Sequence, residues 1–453
     1  MMLVTSTSLL KKPDAVVCNV GAILGAGWWL MAMTEDTERK TQELRATTKI
    51  LTRGFDPSLS VGSARPAVFR SSTYVFSSPE AAERAFDIAN CRATAEADEK
   101  VELIYARLNH PNAEILEAQT IPLEPGAEAA VVFNSGMAAI VTSLLTFLQP
   151  GQTVVYTVPI YGGTQHFLRD YLPGWGVRTV AVPAGQGRQL DVAVESAENL
   201  GAVLVETPAN PTLVMTDLRR VSQTVAGVKR RTDGRRPLVM VDNTLLGPAF
   251  QHPLMLGADL AVYSATKYLS GFSDLLGGMV LAKDLELIQQ IRLQRHLFGN
   301  ILQPDECWLL DGRLPTVILR MNRASKNAQR IAEQLAAHPK AARVIYPTLF
   351  RDPEQSLIYR AQCDFPGAMF SIELKGGKRG AFEFLRNLKL GRNAVSLGGV
   401  ETLACHPKTT THSGYTEEES KLAGVTDGLV RVSVGIEHWR DLLGDFEQAL
   451  DAA

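Results

Sequence analysis

A chain of 453 residues, 45% hydrophobic and 21% charged, is long enough for two or three domains around a sizeable core. A net charge of -2, with both signs interspersed, supplies neither a basic footprint for nucleic acid nor an acidic tail. The five cysteines (Cys18, Cys91, Cys307, Cys363, Cys405) form no CxxC pair and no short Cys/His spacing, so neither a disulfide framework nor a metal site is signalled and a reducing, cytoplasmic setting fits.

Residues 1–33 differ from the rest of the chain: Lys11 and Lys12 precede the apolar stretch VVCNVGAILGAGWWLMAM, which superficially matches a signal peptide but carries helix-weakening glycines. The preferred reading is an atypical leader outside the fold, with translation starting at Met33; an export or membrane signal is the alternative. Residues 34–112 read as a loop-rich N-terminal segment in which 87–101 (DIANCRATAEADEKV) form a surface excursion. From residue 113 to about 312, short apolar runs alternate with amphipathic segments, the pattern of βα units around a mostly parallel sheet. AAVVF (129–133), TVVYTVP (153–159), AVLVET (202–207), LVMVDN (238–243) and DLAVYS (259–264) are the strand candidates. Between the first two, Met137, Ile140, Val141, Leu144, Leu145 and Leu148 fall on one helix face. Residues 313–453 open on a basic helix, RMNRASKNAQRIAEQLAAH, and continue with AMFSIELKG, RNAVSLGGV and LVRVSVGIE, which look like strands of an antiparallel sheet with helices packed on it.

Several groups in this frame are suited to chemistry. NSG at 134–136, followed by Met137, stands where strand turns into helix, and unpaired N–H groups there, with Gly136 allowing close approach, suit a phosphate; a plain Ser N-cap is the alternative. Asp242 ends an otherwise apolar strand, where a carboxylate needs a cationic or donating partner such as a protonated pyridine nitrogen, unless it merely caps a turn. Lys267 follows the next strand. Partial desolvation favours the neutral amine that attacks a carbonyl carbon, and Ser264 and Thr266 supply hydroxyls for a phosphate. Phosphate seat, ring-nitrogen partner and amine nucleophile are together what a protein must offer pyridoxal 5'-phosphate. Tyr161, beside Gly162 and Gly163, can stack on a ring while its hydroxyl handles protons, or can be an ordinary core tyrosine. Arg431 is a lone cation within a strand, explained either by a bidentate grip on a substrate carboxylate or by a structural ion pair.

With YARLNHPN, NSGMAAI, YGGT, ETPANPT, VDNT, SATKYLSG, AVSLGGVETL and LVRVSVG occurring in that order, the chain from about residue 45 onward resembles the Cys/Met-metabolism family of pyridoxal-phosphate enzymes. The resemblance implies the aspartate-aminotransferase-like fold (fold type I), a large mostly parallel-sheet domain with a smaller α+β C-terminal domain. It implies a homotetramer, a dimer of dimers, with sites at subunit interfaces. Residue by residue, it makes Lys267 the covalent anchor of the cofactor, Asp242 the partner of its ring nitrogen and Tyr161 the stacking residue. Gly136, Met137, Ser264 and Thr266 become phosphate ligands, joined by Tyr105 and Arg107 from a neighbouring subunit. Asn210, Ser396 and Arg431 fall near the cofactor oxygen and the substrate carboxylate.

The implied activity is γ-elimination from an L-amino acid with a γ-heteroatom leaving group, such as canavanine, homocysteine or an O-acylhomoserine. A γ-replacement synthase is the alternative, and a non-catalytic cofactor-binding scaffold is an alternative of another class. Several positions depart from the family's pattern. His110 and Asn112 replace the usual Asn and Thr, a change expected to affect the entrance supplied by the partner subunit. Phe272 replaces a histidine, Gly163 stands where methionine gamma-lyases usually carry cysteine, and Val395 stands where cystathionine-handling enzymes usually carry Glu.

Overall fold

The computed structural model describes residues 44–90, 92–96, 99–228 and 232–453; the leader reading lies outside these residues, as do Cys18 and Cys91. Seven strands form the larger sheet: β1 (Ala129–Phe133), β2 (Thr153–Val158), β3 (Arg178–Pro183), β4 (Leu200–Glu206), β5 (Leu238–Asp242), β6 (Leu260–Ser264) and β7 (Gly278–Ala282). Their order is β1-β7-β6-β5-β4-β2-β3. All neighbours are parallel except β7, which runs antiparallel to both β1 and β6.

Apart from the edge strand β3, the strands of this sheet are buried at successive positions because both faces are covered. Tyr156, Leu204, Met240 and Val262 pack with Ile140 and Leu144 of the helix Gly136–Phe147 on one face. Val155, Val203, Val205 and Val241 pack with Leu190, Val194, Leu218 and Val221 on the other. Because β4, β5 and β6 are parallel, their last residues, Glu206, Asp242 and Ser264, emerge at one edge of the sheet, where ligands of open α/β folds collect.

A second sheet has the order β10-β11-β12-β9-β8, built from β8 (Ala341–Ile345), β9 (Met369–Leu374), β10 (Arg392–Asn393), β11 (Leu403–Cys405) and β12 (Leu429–Ser433). It is antiparallel apart from the β10–β11 pair. The helices Val317–Leu335, Gly377–Asn387 and Trp439–Asp451 place Ala328, Ile331, Phe384 and Phe446 against Phe370, Ile372, Val430 and Val432.

Three expectations need correction. RNAVSLGGV is strand only at Arg392–Asn393; the following LGG turns the chain back towards Lys267, and a Cβ at Gly398 would lie 2.6 Å from the Tyr268 nitrogen. The 87–101 segment is not wholly superficial, since Ala95 and Val101 are buried with Ala85, Ile88 and Ile104 in a small core of their own. The strands β3, β7, β8 and β11 are not among the candidates. β3 and β8 are edge strands with exposed positions, and so lack the long buried run that marks the interior strands.

Candidate active site

A cavity of about 180 Å³ opens at the strand edge and is lined by Gly136, Met137, Tyr161, Glu206, Asn210, Asp242, Ser264, Thr266 and Lys267 together with the apolar Ile140, Leu245, Leu276 and Leu397. Sequence positions 136 to 267 thus converge on one space.

The helix Gly136–Phe147 begins with Ser135 as N-cap, whose side chain accepts the Ala138 N–H at 3.1 Å. The N–H groups of Gly136 and Met137, in the first turn, have no acceptor within the helix. A Cβ at Gly136 would lie 2.9 Å from the Ser264 Cβ and 3.0 Å from its Oγ, so only glycine leaves the cradle open between helix and strand. The cap reading of NSG therefore holds at Ser135, and Gly136 leaves clear the space that the anion-seat reading requires. The Thr266 hydroxyl is shared with the Gly277 backbone, accepting its N–H at 2.9 Å.

Asp242 is buried, and Oδ1 accepts both the backbone N–H and the hydroxyl of Thr244, at 3.0 and 2.6 Å. Oδ2 accepts nothing among the described residues. Burial raises the carboxyl pKa against the lowering effect of Thr244, which is the condition of a carboxylate without a cationic partner. Glu206, its register partner on β4, is 4% exposed. Burial first and Asp242 second raise its pKa to about 8, opposed by the backbone N–H groups of Tyr161 and Asn210.

The Lys267 Nζ donates to Ser396 Oγ at 3.1 Å. Burial, followed by the charge of Arg431, lowers its pKa to about 8, so an appreciable neutral fraction exists near physiological pH. Tyr161 leads into the short helix Gly162–His166 with its ring 45% exposed towards the cavity.

Arg431 and Ser396 stand behind the cavity rather than on its wall. The Arg431 side chain is 2% exposed and donates to Asn210 Oδ1 at 3.2 Å and to the carbonyls of Val395 and Ser396 at 2.6 and 2.8 Å. All these acceptors are neutral, and its buried Nε has no partner. Arg431 makes no salt bridge among the described residues; the Glu206 carboxyl is near enough to feel its charge, but no carboxylate oxygen accepts from the guanidinium.

Tyr105 and Arg107 are not brought to this cavity. They line a separate groove of about 530 Å³, where Arg107 donates to the His296 carbonyl at 3.1 Å. His110 and Asn112 are buried braces, not entrance groups. His110 caps the helix Pro111–Thr120, its Nδ1 accepting from Ala113 at 3.2 Å and its Nε2 meeting the Leu302 carbonyl at 2.9 Å. Asn112 bridges the Phe69 N–H and the Ala67 carbonyl, both at 2.8 Å. The Phe272 ring lies under Arg313 and Arg320, at 4.9 and 5.6 Å. Arg320 also donates to the Tyr268 and Leu269 carbonyls, so this pair braces the lysine loop.

The site-lining residues not singled out in the sequence are Glu206 and the apolar wall. Glu206 carried the same signal as Asp242, an acid ending a wholly buried strand. The wall residues Leu276 and Leu397 come from loops and carried none.

A three-layer α/β sheet with an acid, a depressed-pKa lysine and an anion seat at its carboxyl edge defines a fold-type-I cofactor enzyme of amino-acid chemistry. The family described as Cys/Met metabolism PLP-dependent enzyme matches residues 47–451, and the chain belongs to it. L-methionine gamma-lyase of Fusobacterium nucleatum subsp. nucleatum is 40% identical over 392 residues, covering 86% of this chain and 94% of that one. Cystathionine gamma-lyase of Bacillus subtilis is 38% identical over 349 residues, 77% and 88% of the two chains. The crystal structure of cystathionine gamma synthase from Xanthomonas oryzae pv. oryzae in complex with cystathionine superposes with a TM-score of 0.80 at 34% identity, covering 90% of this chain and 98% of that one. The protein is thus a pyridoxal-phosphate-dependent enzyme of amino-acid metabolism, from a family whose members eliminate or replace a side-chain substituent. No helix among the described residues is long and apolar enough to cross a membrane.

Proposed function

We propose that this enzyme catalyses γ-elimination from a homoserine-type L-amino acid whose leaving group brings no second amino-acid head: canavanine, homocysteine or an O-acylhomoserine. The observation carrying this reading is the loop-borne side of the site: Leu276 and Leu397 line the cavity, and Val395, 54% exposed and next to Ser396, whose hydroxyl meets the Lys267 Nζ, offers no carboxylate to a second amine. A second amine is what cystathionine, or cysteine as an acceptor, brings with it.

The residues fit the cofactor. The cradle kept open by Gly136, with the Met137 N–H and the Ser264 and Thr266 hydroxyls, would hold its phosphate. Asp242 Oδ2 would meet the ring nitrogen, Tyr161 would cover the ring and Asn210 would stand by the ring oxygen. Bound there, pyridoxal phosphate supplies a carbonyl carbon that condenses with amines and a ring that withdraws electrons from the substrate's α carbon. Lys267 is the amine placed to hold it, and its low pKa equips the same Nζ to take up and return the α and β protons. Arg431, with Ser396 and Asn210, would hold the substrate carboxylate, and the Tyr161 hydroxyl would give a proton to the departing heteroatom.

In this reading Tyr105 and Arg107 complete the phosphate seat of a neighbouring copy, in a tetramer built as a dimer of dimers. The chain divides into a subunit-contacting segment at 34–112, a cofactor-binding domain at 113–312 and a C-terminal domain at 313–453. Their place in a groove apart from the chain's own Lys267 cavity supports that arrangement.

The substitution Val395→Glu tests this side of the site. It is expected to raise kcat/KM for cystathionine at least tenfold relative to the best uncharged substrate. An unchanged preference would remove it from the argument.

A further inference from the structure

We propose that Glu206 is a positioning residue that holds Tyr161 and the Asn210–Arg431 pair in one rigid frame. This rests on the proposed roles of Tyr161 and Arg431. Glu206 ends β4 and its two oxygens are divided between two loops: Oε2 accepts the Tyr161 N–H at 2.8 Å and Oε1 accepts the Asn210 N–H at 3.0 Å. The first loop follows β2 and carries the exposed tyrosine. The second follows β4 and carries the amide that accepts from Arg431 Nη1 at 3.2 Å. One carboxyl group therefore fixes the backbone at both places where the substrate is handled, the proton-managing end and the carboxylate end.

The frame is closed from the other side. The His412 Nε2 meets the Asn210 carbonyl at 3.0 Å, and the Tyr415 hydroxyl meets the carbonyl of Ile160, next to Tyr161, at 3.1 Å. Both come from the loop 410–416. A Cβ at Gly162 would run into the Thr411 carbonyl, so that loop is pressed directly on the turn bearing Tyr161. Within this clamp Glu206 reaches both loops from the end of β4, one oxygen to each.

Burying an acid beside Asp242 is costly, a cost that a neutral side chain would avoid. Two N–H donors arriving at two different oxygens do need an acceptor at both ends of the group. A glutamine offers only one oxygen, and its NH₂ would face the second N–H donor to donor. An aspartate keeps both oxygens but withdraws them by one methylene.

The test uses the holoenzyme of Glu206→Gln, with Glu206→Asp as the second variant if the first does not fold. Three readouts are taken: kcat with the best substrate, affinity for L-norvaline, and hydrogen exchange of the segments holding Tyr161 and Asn210. L-norvaline has the amino and carboxylate groups but no γ leaving group. The expected result is a fall of about tenfold in norvaline affinity, a kcat loss of tenfold or more, and faster exchange in both segments. Adding Glu206→Gln to Tyr161→Phe is expected to lower kcat by less than the product of the two single losses, because part of the Glu206 effect acts through Tyr161 while the part at Asn210 remains. Norvaline affinity and kcat both within twofold of the parent, or a fully additive double variant, would overturn the proposal. Norvaline binding and exchange do not depend on which leaving group the enzyme accepts, so a failure of the γ-elimination reading would appear separately, as absent turnover in the parent.

Discussion

Replacing Lys267 by methionine should stabilise the cofactor-free protein, and by an amount that depends on pH. The lysine is buried beside Arg431, and its pKa falls from the ordinary 10.5 to about 8. At about 1.4 kcal/mol per pH unit, holding the ammonium there costs on the order of 3 kcal/mol of folding free energy. The sign follows from proton counts. Below pH 8 both the folded and unfolded chains carry the proton and the cost is fully present; between 8 and 10.5 only the unfolded chain carries it, so stability rises with pH; above 10.5 the cost is gone. Methionine fills similar space without a charge and carries no such cost at any pH. Urea unfolding of the two cofactor-free proteins at equal concentration, across pH 7 to about 10.5, is the assay. Lys267→Met is expected to be more stable by about 2–3 kcal/mol at pH 7, with the gap closing as pH rises through the window. Other titrating groups are common to both proteins and cancel in the difference. A gap independent of pH, or a methionine variant less stable at pH 7, would refute the desolvated lysine.

Gly136→Ala should weaken cofactor binding about 5- to 100-fold, since a Cβ 2.9 Å from that of Ser264 forces a displacement costing about 1–3 kcal/mol. Because the clash is with the protein's own Ser264, the melting temperature of the cofactor-free protein should fall by a few degrees as well, and titration of that protein with pyridoxal phosphate reads the loss of binding. Gly163→Cys should lower kcat about tenfold with little change in carboxylate-analogue affinity, because its Cβ would fall 2.7 Å from Tyr161 Cε1 and push the ring aside. Steady-state kinetics with a norvaline competition series separate the two effects.

Much of this site was legible because it obeys a rule of position. Asp242 and Lys267 are ionisable residues where apolar strands end or have just ended, and burial is costly unless something specific meets them. Gly136 was legible as a junction glycine. The same rule applied to Glu206, near the end of the strand candidate AVLVET, and went unused. What sequence spacing could not convey is tertiary: Arg431 was visible as a misplaced cation, yet that its acceptors are all neutral depends on Asn210, 221 positions away. His110 and Asn112 were misjudged for a related reason. Their partners, Leu302 for one and Phe69 with Ala67 for the other, lie on segments whose approach no local pattern announces. The edge strands β3 and β8 escaped because half-exposed strands lack the continuous apolar run on which the interior strands were read.

The most direct test of the account is 2-oxobutanoate release by the cofactor-loaded enzyme from canavanine, homocysteine, methionine, O-acetylhomoserine, O-succinylhomoserine and cystathionine, each with and without a thiol. The account predicts strong, thiol-independent release from canavanine, homocysteine or an O-acylhomoserine, and weak release from cystathionine. Turnover confined to an acylhomoserine, with keto acid suppressed and a thioether accumulating when thiol is added, would contradict it and make the enzyme a γ-replacement synthase.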